Sequence, residues 1–377
     1  MRSTMVNPEP FTHGMSRRQI LRAGGLGALA IGAVGFLAAC GSDSDGGTAT
    51  SSDSATGTAD LGELTVKLSW IKNIEFAGEY FADTNGYYTD AGFSSVNLIA
   101  GGDQTSAEDA LISGQVLIGL SSVSITAPAI AKGAPLKVIG STYQKNPFCL
   151  LSLEEKTPIK TVEDLKGKKI GVQSGGNLSI FEGFLTAVGL TKDDVTIVTT
   201  LYDIAPLEEG KYDAHMSYIT NEPILAKSDG FTPVVLGLAD NGLPFVAETF
   251  TVTDETLESK RDLLKAFLIA EIKGWTDAVK DPAKSAELAV TNYGKDLKLD
   301  AEEQTAEATA QNGLILTDDV NENGLFTMTD ALIDENIASL KAMGTDISAD
   351  DLFDLSILEE IYKENPDLIT TFTIPSA

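Results

Sequence analysis

The chain has 377 residues with 55 acidic against 27 basic side chains, a formal net charge of −28 at pH 7. An excess of negative charge this large repels nucleic acid and anionic lipid surfaces and so excludes nucleic acid as a partner, although it says nothing about fold. Histidine is confined to His13 and His215 and cysteine to Cys40 and Cys149, too few for a zinc enzyme, a Ser-His-Asp hydrolase or a disulfide framework.

Residues 1–39 read as an export leader, because Arg2, Arg17, Arg18 and Arg22 precede an uncharged, glycine-rich apolar stretch at 23–39. The run Ser16-Arg17-Arg18-Gln19-Ile20-Leu21-Arg22 resembles the twin-arginine export consensus. At its end, Leu37-Ala38-Ala39-Cys40-Gly41 resembles the lipobox of bacterial lipoproteins, in which small residues admit the peptidase and the thiol takes the lipid. Cys40 is therefore the expected lipidation site. A spanning helix is the other reading, but the stretch is marginal for a bilayer that needs about 20 apolar residues. Residues 41–60 are almost entirely Gly, Ser, Thr, Ala and Asp, a composition that buries no core and predicts a tether, the whole of 40–62 forming the link to the folded part. The mature protein is expected on the extracytoplasmic face of the cell membrane, held there by its lipid.

From 64 onward strand and helix patterns alternate. Residues 64–70 alternate apolar and polar side chains and predict a strand, and 73–86 predict a helix that ends at glycine. Strands are expected at 96–100, 116–120, 138–143 and 148–153, with helices at 105–112 and 124–132 between them. A second unit opens at 161 with a strand at 169–172, the turn Ser174-Gly175-Gly176-Asn177, a helix at 179–188 and strands at 195–199 and 214–218. Beyond 257 the chain is helix-rich, with helices expected at 263–279, 282–292, 301–310 and 328–343. Such alternation predicts an α/β fold of parallel strands flanked by helices.

One stretch of this pattern carries a family likeness. Trp70-Ile71-Lys72-Asn73-Ile74-Glu75-Phe76-Ala77-Gly78-Glu79-Tyr80-Phe81-Ala82, with Asn85-Gly86-Tyr87-Tyr88 and Ala91-Gly92-Phe93, resembles the N-terminal signature of ABC solute-binding proteins for thiamine pyrimidine precursors and their nitrate, sulfonate and riboflavin relatives. Ala110-Leu111-Ile112-Ser113-Gly114, Gly210-Lys211-Tyr212-Asp213-Ala214, Asn221-Glu222-Pro223 and Ala270-Glu271-Ile272-Lys273-Gly274-Trp275 continue the likeness in order. Lys72 stands where the family pattern has proline and Phe76 where it has histidine, which removes a usual ligand contact. The resemblance implies a two-lobed type II periplasmic-binding-protein-like fold with the ligand cleft between lobes. It divides the folded part into 63–152 (first lobe), 153–246 (second lobe) and 247–377 (return to the first lobe), with crossings near 151–157 and 245–251. It also implies a small-molecule ligand and ABC permease subunits as partners, with no cofactor, no metal and no catalytic residue, in a protein that acts as a monomer.

Carboxyl ends of strands in an α/β lobe point their loops at the binding crevice, which makes Trp70, Ser122, Tyr143, Gln144 and Tyr218 candidate ligand residues. Trp70 and Tyr218 would sandwich a flat ring, each contact worth about 0.5–1.5 kcal/mol beyond area burial. Asn73 would present its amide or cap the next helix. Phe76 would add an aromatic wall. Asn221 and Glu222 would face the cleft from the second lobe, Glu222 accepting from a ring amino group. Ser174, Gly176 and Asn177 would offer backbone amides at a helix start, where an anion or ring carbonyl binds. His215 alternates within a strand and reads as structural, and Trp275 falls on a helical packing face. An enzyme of pyrimidine synthesis and a lipid-anchored receptor are the competing readings.

Overall fold

The computed structural model describes residues 60–102 and 105–375; the leader, Cys40 and the tether through residue 59 lie outside the described residues. The strand patterns assemble into two sheets. β1 (Gly62–Lys67), β2 (Phe93–Ile99), β3 (Ile118–Ser122) and β4 (Leu136–Tyr143) alternate with α1 (Ala77–Thr84), α2 (Tyr87–Asp90), α3 (Ala107–Ile112) and α4 (Val123–Ile130). There follow β5 (Phe148–Leu153), β6 (Lys169–Gln173), β7 (Thr196–Thr200), β8 (Ala214–Tyr218) and β9 (Pro233–Gly237), with α5 (Gly176–Ala187), α6 (Ala205–Glu208) and α7 (Glu222–Ser228). After β10 (Ala247–Thr253) come α8 (Asp254–Ser259), α9 (Arg261–Ala278), α10 (Pro282–Leu288) and α11 (Ala301–Ile315). The last helices are α12 (Asp318–Asn323), α13 (Asp330–Ala342), α14 (Ala349–Leu352) and α15 (Ser356–Glu364). Among the described residues, no helix is long and apolar enough to cross a membrane.

Strand order is β2-β1-β3-β10-β4 in the first sheet and β7-β6-β8-β5-β9 in the second. Both sheets are mixed where the alternation predicted parallel strands. β10 runs antiparallel to β3 and β4, and β5 antiparallel to β8 and β9. These are the two strands that enter a lobe directly from the other one. They start at the edge where the other strands finish, so they must run the opposite way.

This topology corrects the first expected crossing. β5 is fully buried in the second sheet, paired with β8 and β9, so the chain crosses at 144–147 and not at 151–157. The mostly apolar run Phe148–Leu153 suits a buried strand of either lobe, and only its pairing decides between them. The return crossing lies before Ala247, where β10 begins. At the start of β5 sits Cys149, a wholly buried free thiol.

The C-terminal helices do not pack on the first lobe alone. α9 lies against α1 at very short range, since a Cβ on Gly78 would stand 2.1 Å from the Trp275 ring and one on Gly274 would stand 2.2 Å from the Gly78 carbonyl oxygen. α13 instead joins the second core: Leu340 is buried with Phe181, Phe184 and Phe245, and Met343 fills the space beside Gly183. It also holds the return crossing, because Asn336 Oδ1 accepts from the Val246 amide at 2.9 Å and Ser339 Oγ donates to the Pro244 carbonyl at 2.5 Å. The helix expected at 73–86 is split into a 3-10 turn, Ile74–Phe76, and α1.

Candidate functional site

The site begins at one edge of the first sheet. Ser69 and Trp70 follow β1, Ser122 ends β3, Tyr143 ends β4, and Ala247 at the start of β10 pairs with both Ser122 and Tyr143. The Trp70 turn is clamped by Gly101, whose amide donates to the Trp70 carbonyl at 2.6 Å and whose Cβ, if present, would lie 2.3 Å from the Ser69 carbonyl. Glycine is required there by close approach. Asn73 caps the 3-10 turn, its Oδ1 accepting from the Glu75 amide at 3.2 Å, and α11 fastens the same turn through Gln304 Oε1 to the Ile74 amide at 3.0 Å.

Across the chain crossing, the second sheet offers the matching edge. Phe148 opens β5 opposite Tyr218, which closes β8, and their rings meet edge to face at 4.8 Å. Glu222 is the first residue of α7 and folds back so that Oε2 accepts from the Tyr218 amide at 2.8 Å. Just past β7 stands Tyr202, and its ring is 5.5 Å from Trp70 of the first lobe, tilted by 57°. The ring contact of Trp70 is with Tyr202, and that of Tyr218 is with Phe148. Tyr202 was missed, although it follows a strand just as Trp70 does.

Carboxyl groups gather near Tyr218. Burial pushes Glu75 up to about 7, against a hydrogen bond from Asn73 and with a further push from the charge of Glu222. Burial likewise raises Glu222 to about 7, against the Tyr218 and Glu222 amides. Glu248 sits at the bulge where β10 shifts register, with φ of 50°, and both of its oxygens accept from Ser69 Oγ, at 2.9 and 2.8 Å. A left-handed backbone is strained for a side chain with a Cβ, and a bulge turns that side chain out of the strand's alternation. Burial first, then the charge of Glu75, holds the Glu248 carboxyl well above the ordinary range. Behind them Glu307 of α11 is raised to about 9 by burial and by Glu75 and Glu303. Among the described residues, no ion pair involves Glu75, Glu222, Glu248 or Glu307.

The remaining candidates divide. Tyr143 is fully buried, and its hydroxyl donates to Gln311 Oε1 at 3.0 Å, but it stands in the field of Glu75 and Glu248 and so walls the acid cluster from behind. Gln144 is buried and ties the crossing, its amide donating to the Leu314 carbonyl at 2.8 Å. Ser122 caps α4. Phe76 is wholly buried in the first core. Ser174 and Gly176 are exposed at the start of α5, and Asn177 donates to Gln173 Oε1 at 3.0 Å. Asn221 precedes α7, and its buried Oδ1 has no hydrogen-bond partner. His215 is structural, its ring nitrogens held by Ser217 Oγ and the Leu201 carbonyl, each at 3.0 Å. Among the described residues, no group of His, Cys, Asp and Glu is arranged to hold a metal.

A family described as NMT1/THI5 like matches residues 73–285. The riboflavin-binding protein RibY of Chloroflexus aurantiacus is 27% identical over 240 residues, 61% of this chain and 66% of that protein, so the chain spans just under two thirds of that relative's length. A 4-amino-5-hydroxymethyl-2-methylpyrimidine phosphate synthase of Saccharomyces cerevisiae is 27% identical over 236 residues, 59% of this chain and 69% of the synthase. Among solved structures, the periplasmic aliphatic sulphonate binding protein SsuA of Escherichia coli superposes with a TM-score of 0.56 at 17% identity, covering 83% of this chain and 90% of its own. This likeness establishes the fold as the two-lobed one of periplasmic binding proteins.

Proposed function

The chain belongs to the NMT1/THI5-like family, and we propose that it is the extracytoplasmic solute-binding lipoprotein of an ABC importer, closing its lobes on a small planar heterocycle such as a thiamine pyrimidine precursor. One observation carries this reading: aromatic rings and carboxyl groups from both lobes meet at the facing sheet edges, Trp70 against Tyr202 and Glu75 within the field of Glu222. A ligand drives closure only through contacts it makes with both lobes at once, and these residues supply them. Ring faces and hydrogen-bond acceptors suit an aminopyrimidine. Riboflavin is the second candidate, favoured by the likeness to RibY. Sulfonate and nitrate come third, because the acids here carry no basic partner.

Binding without chemistry is the reading we adopt, although the yeast relative is named a synthase. Phe76 occupies the position where the family pattern has histidine; His215 is spent on backbone and Ser217, and Cys149 is buried. We place the mature protein beside its permease subunits as a monomer, tethered through lipid on Cys40.

Thermal unfolding with a panel of pyrimidines, flavins, sulfonates and nitrate tests the ligand class. An aminopyrimidine should raise the melting temperature, and a panel that leaves it unchanged throughout overturns the assignment. Detergent phase partition tests the anchor: the Cys40→Ala protein should move to the aqueous phase, and one that stays with the detergent is not held by that lipid.

A further inference from the structure

The cleft contains more acid than a neutral ring requires. Glu75 and Glu248 come from the first lobe and Glu222 from the second, each no more than 7% exposed. The Tyr218 phenol stands in the field of all three and of Tyr202. What the protein offers these carboxyls is neutral: the Ser69 hydroxyl to Glu248, the Asn73 side chain to Glu75 and the Tyr218 amide to Glu222. Lys67 is engaged with the Ala100 carbonyl at 2.7 Å and Lys145 with Asp240 at 3.2 Å, and among the described residues Lys72 forms no ion pair with these acids. A further acceptor, the buried and unpartnered Oδ1 of Asn221, adjoins Glu222.

Buried carboxylates without a cation are costly, and an aromatic face attracts positive charge. Resting on the solute-capture reading above, we propose that the cleft takes its heterocycle as a cation, charged on the ring or its amino group, with Glu75, Glu222 and Glu248 as counter-charges. Without ligand, burial and mutual repulsion keep protons on this cluster. Glu79 of α1 and Glu307 of α11 add to the repulsion from behind, and the Tyr143 and Tyr218 phenols stay neutral beside it. The arriving positive charge stabilises the ionised carboxyls, so their protons leave to solvent as it binds.

Calorimetric titration of the mature protein in phosphate and in Tris tests this with four probes: thiamine, whose ring charge is permanent, 4-amino-5-hydroxymethyl-2-methylpyrimidine, neutral riboflavin, and taurine. Thiamine should bind with heats that differ between the buffers, which reports proton release, whereas the aminopyrimidine must gain a proton to become a cation, takes it from the cluster, and should show a smaller difference. For thiamine, affinity should rise about tenfold from about pH 5.5 to about pH 7.5 as the cluster ionises. Glu248→Gln should weaken the binding of the cations by about tenfold and reduce the proton release. Should that variant fail to fold, Glu75→Gln carries the same expectation. Binding of riboflavin or taurine alone, insensitive to these substitutions, overturns the cation proposal and leaves solute capture standing. Binding of none of the four overturns both.

Discussion

Trp70 reaches the cleft because β1 ends three residues before it and Gly101 admits its backbone, so its ring is held against Tyr202. Trp70→Ala should weaken ligand binding by about tenfold or more, since it removes an aromatic face and its buried area together, while leaving the fold intact. Titration of the variant with whichever probe stabilises the parent decides it, and an unchanged affinity would remove Trp70 from the site. Glu248 poses the opposite case. Its left-handed backbone and buried carboxyl both disfavour folding, so Glu248→Gly should raise the melting temperature while weakening cation binding by about tenfold. A lowered melting temperature would show that the Ser69 hydrogen bonds outweigh the strain. Trp70, Tyr218 and Glu222 were legible because each sits at a strand end or in a recognisable local pattern. Glu75, Glu248 and Tyr202 were not, because what gathers them is the meeting of two sheet edges and a bulge on a returning strand.

At the scale of elements, the α1–α9 contact depends on two absent side chains. Gly78→Ala would drive a methyl group into the Trp275 indole, and overpacking of this kind costs about 1–3 kcal/mol. Chemical denaturation should show it as a lower midpoint with an unchanged slope. α13 acts through hydrogen bonds instead. Asn336→Ala leaves the Val246 amide buried and unpaired, at about 1–3 kcal/mol. Besides lowering stability, it should loosen the return crossing and so change the rate at which ligand leaves, readable by stopped-flow fluorescence of Trp70. Helix periodicity marked α9 and α13 well but not their partners. Nothing in the period of α13 says that it packs on α5 and not on the first lobe, and the apolar run of β5 fits either sheet. Register and pairing are long-range choices, which is why the first crossing was misplaced while the strands themselves were found.

For the whole molecule the buried acids set the response to pH. Glu75 and Glu222 are raised to about 7, Glu271 to about 8 and Glu307 to about 9, each mainly by burial. Glu79 stands well above the ordinary range, raised first by burial and then by the charge of Glu271. Carboxyls raised on folding bind more protons in the native state than in the unfolded one. Their contribution is complete below about pH 4.5 and is lost as pH rises through the folded values, by up to about 1.4 kcal/mol per pH unit for each group. Melting temperature should therefore fall from pH 5 to pH 9, and Glu271→Gln, which keeps the Tyr88 contact without the charge, should flatten that fall. A flat profile in the parent would mean that water reaches these groups.

Cys149 lies near the start of β5, an interior strand of the second sheet, two residues past the first crossing, with its thiol fully covered and held protonated by burial and by the charge of Glu222. Once Cys40 carries lipid or is replaced, this leaves one sulfur that a soluble disulfide reagent can modify only when the second sheet comes apart. Its labelling rate is a clock for the opening of one lobe, blind to the fraying of the other, and ligand should slow it in proportion to how tightly it grips that half of the cleft.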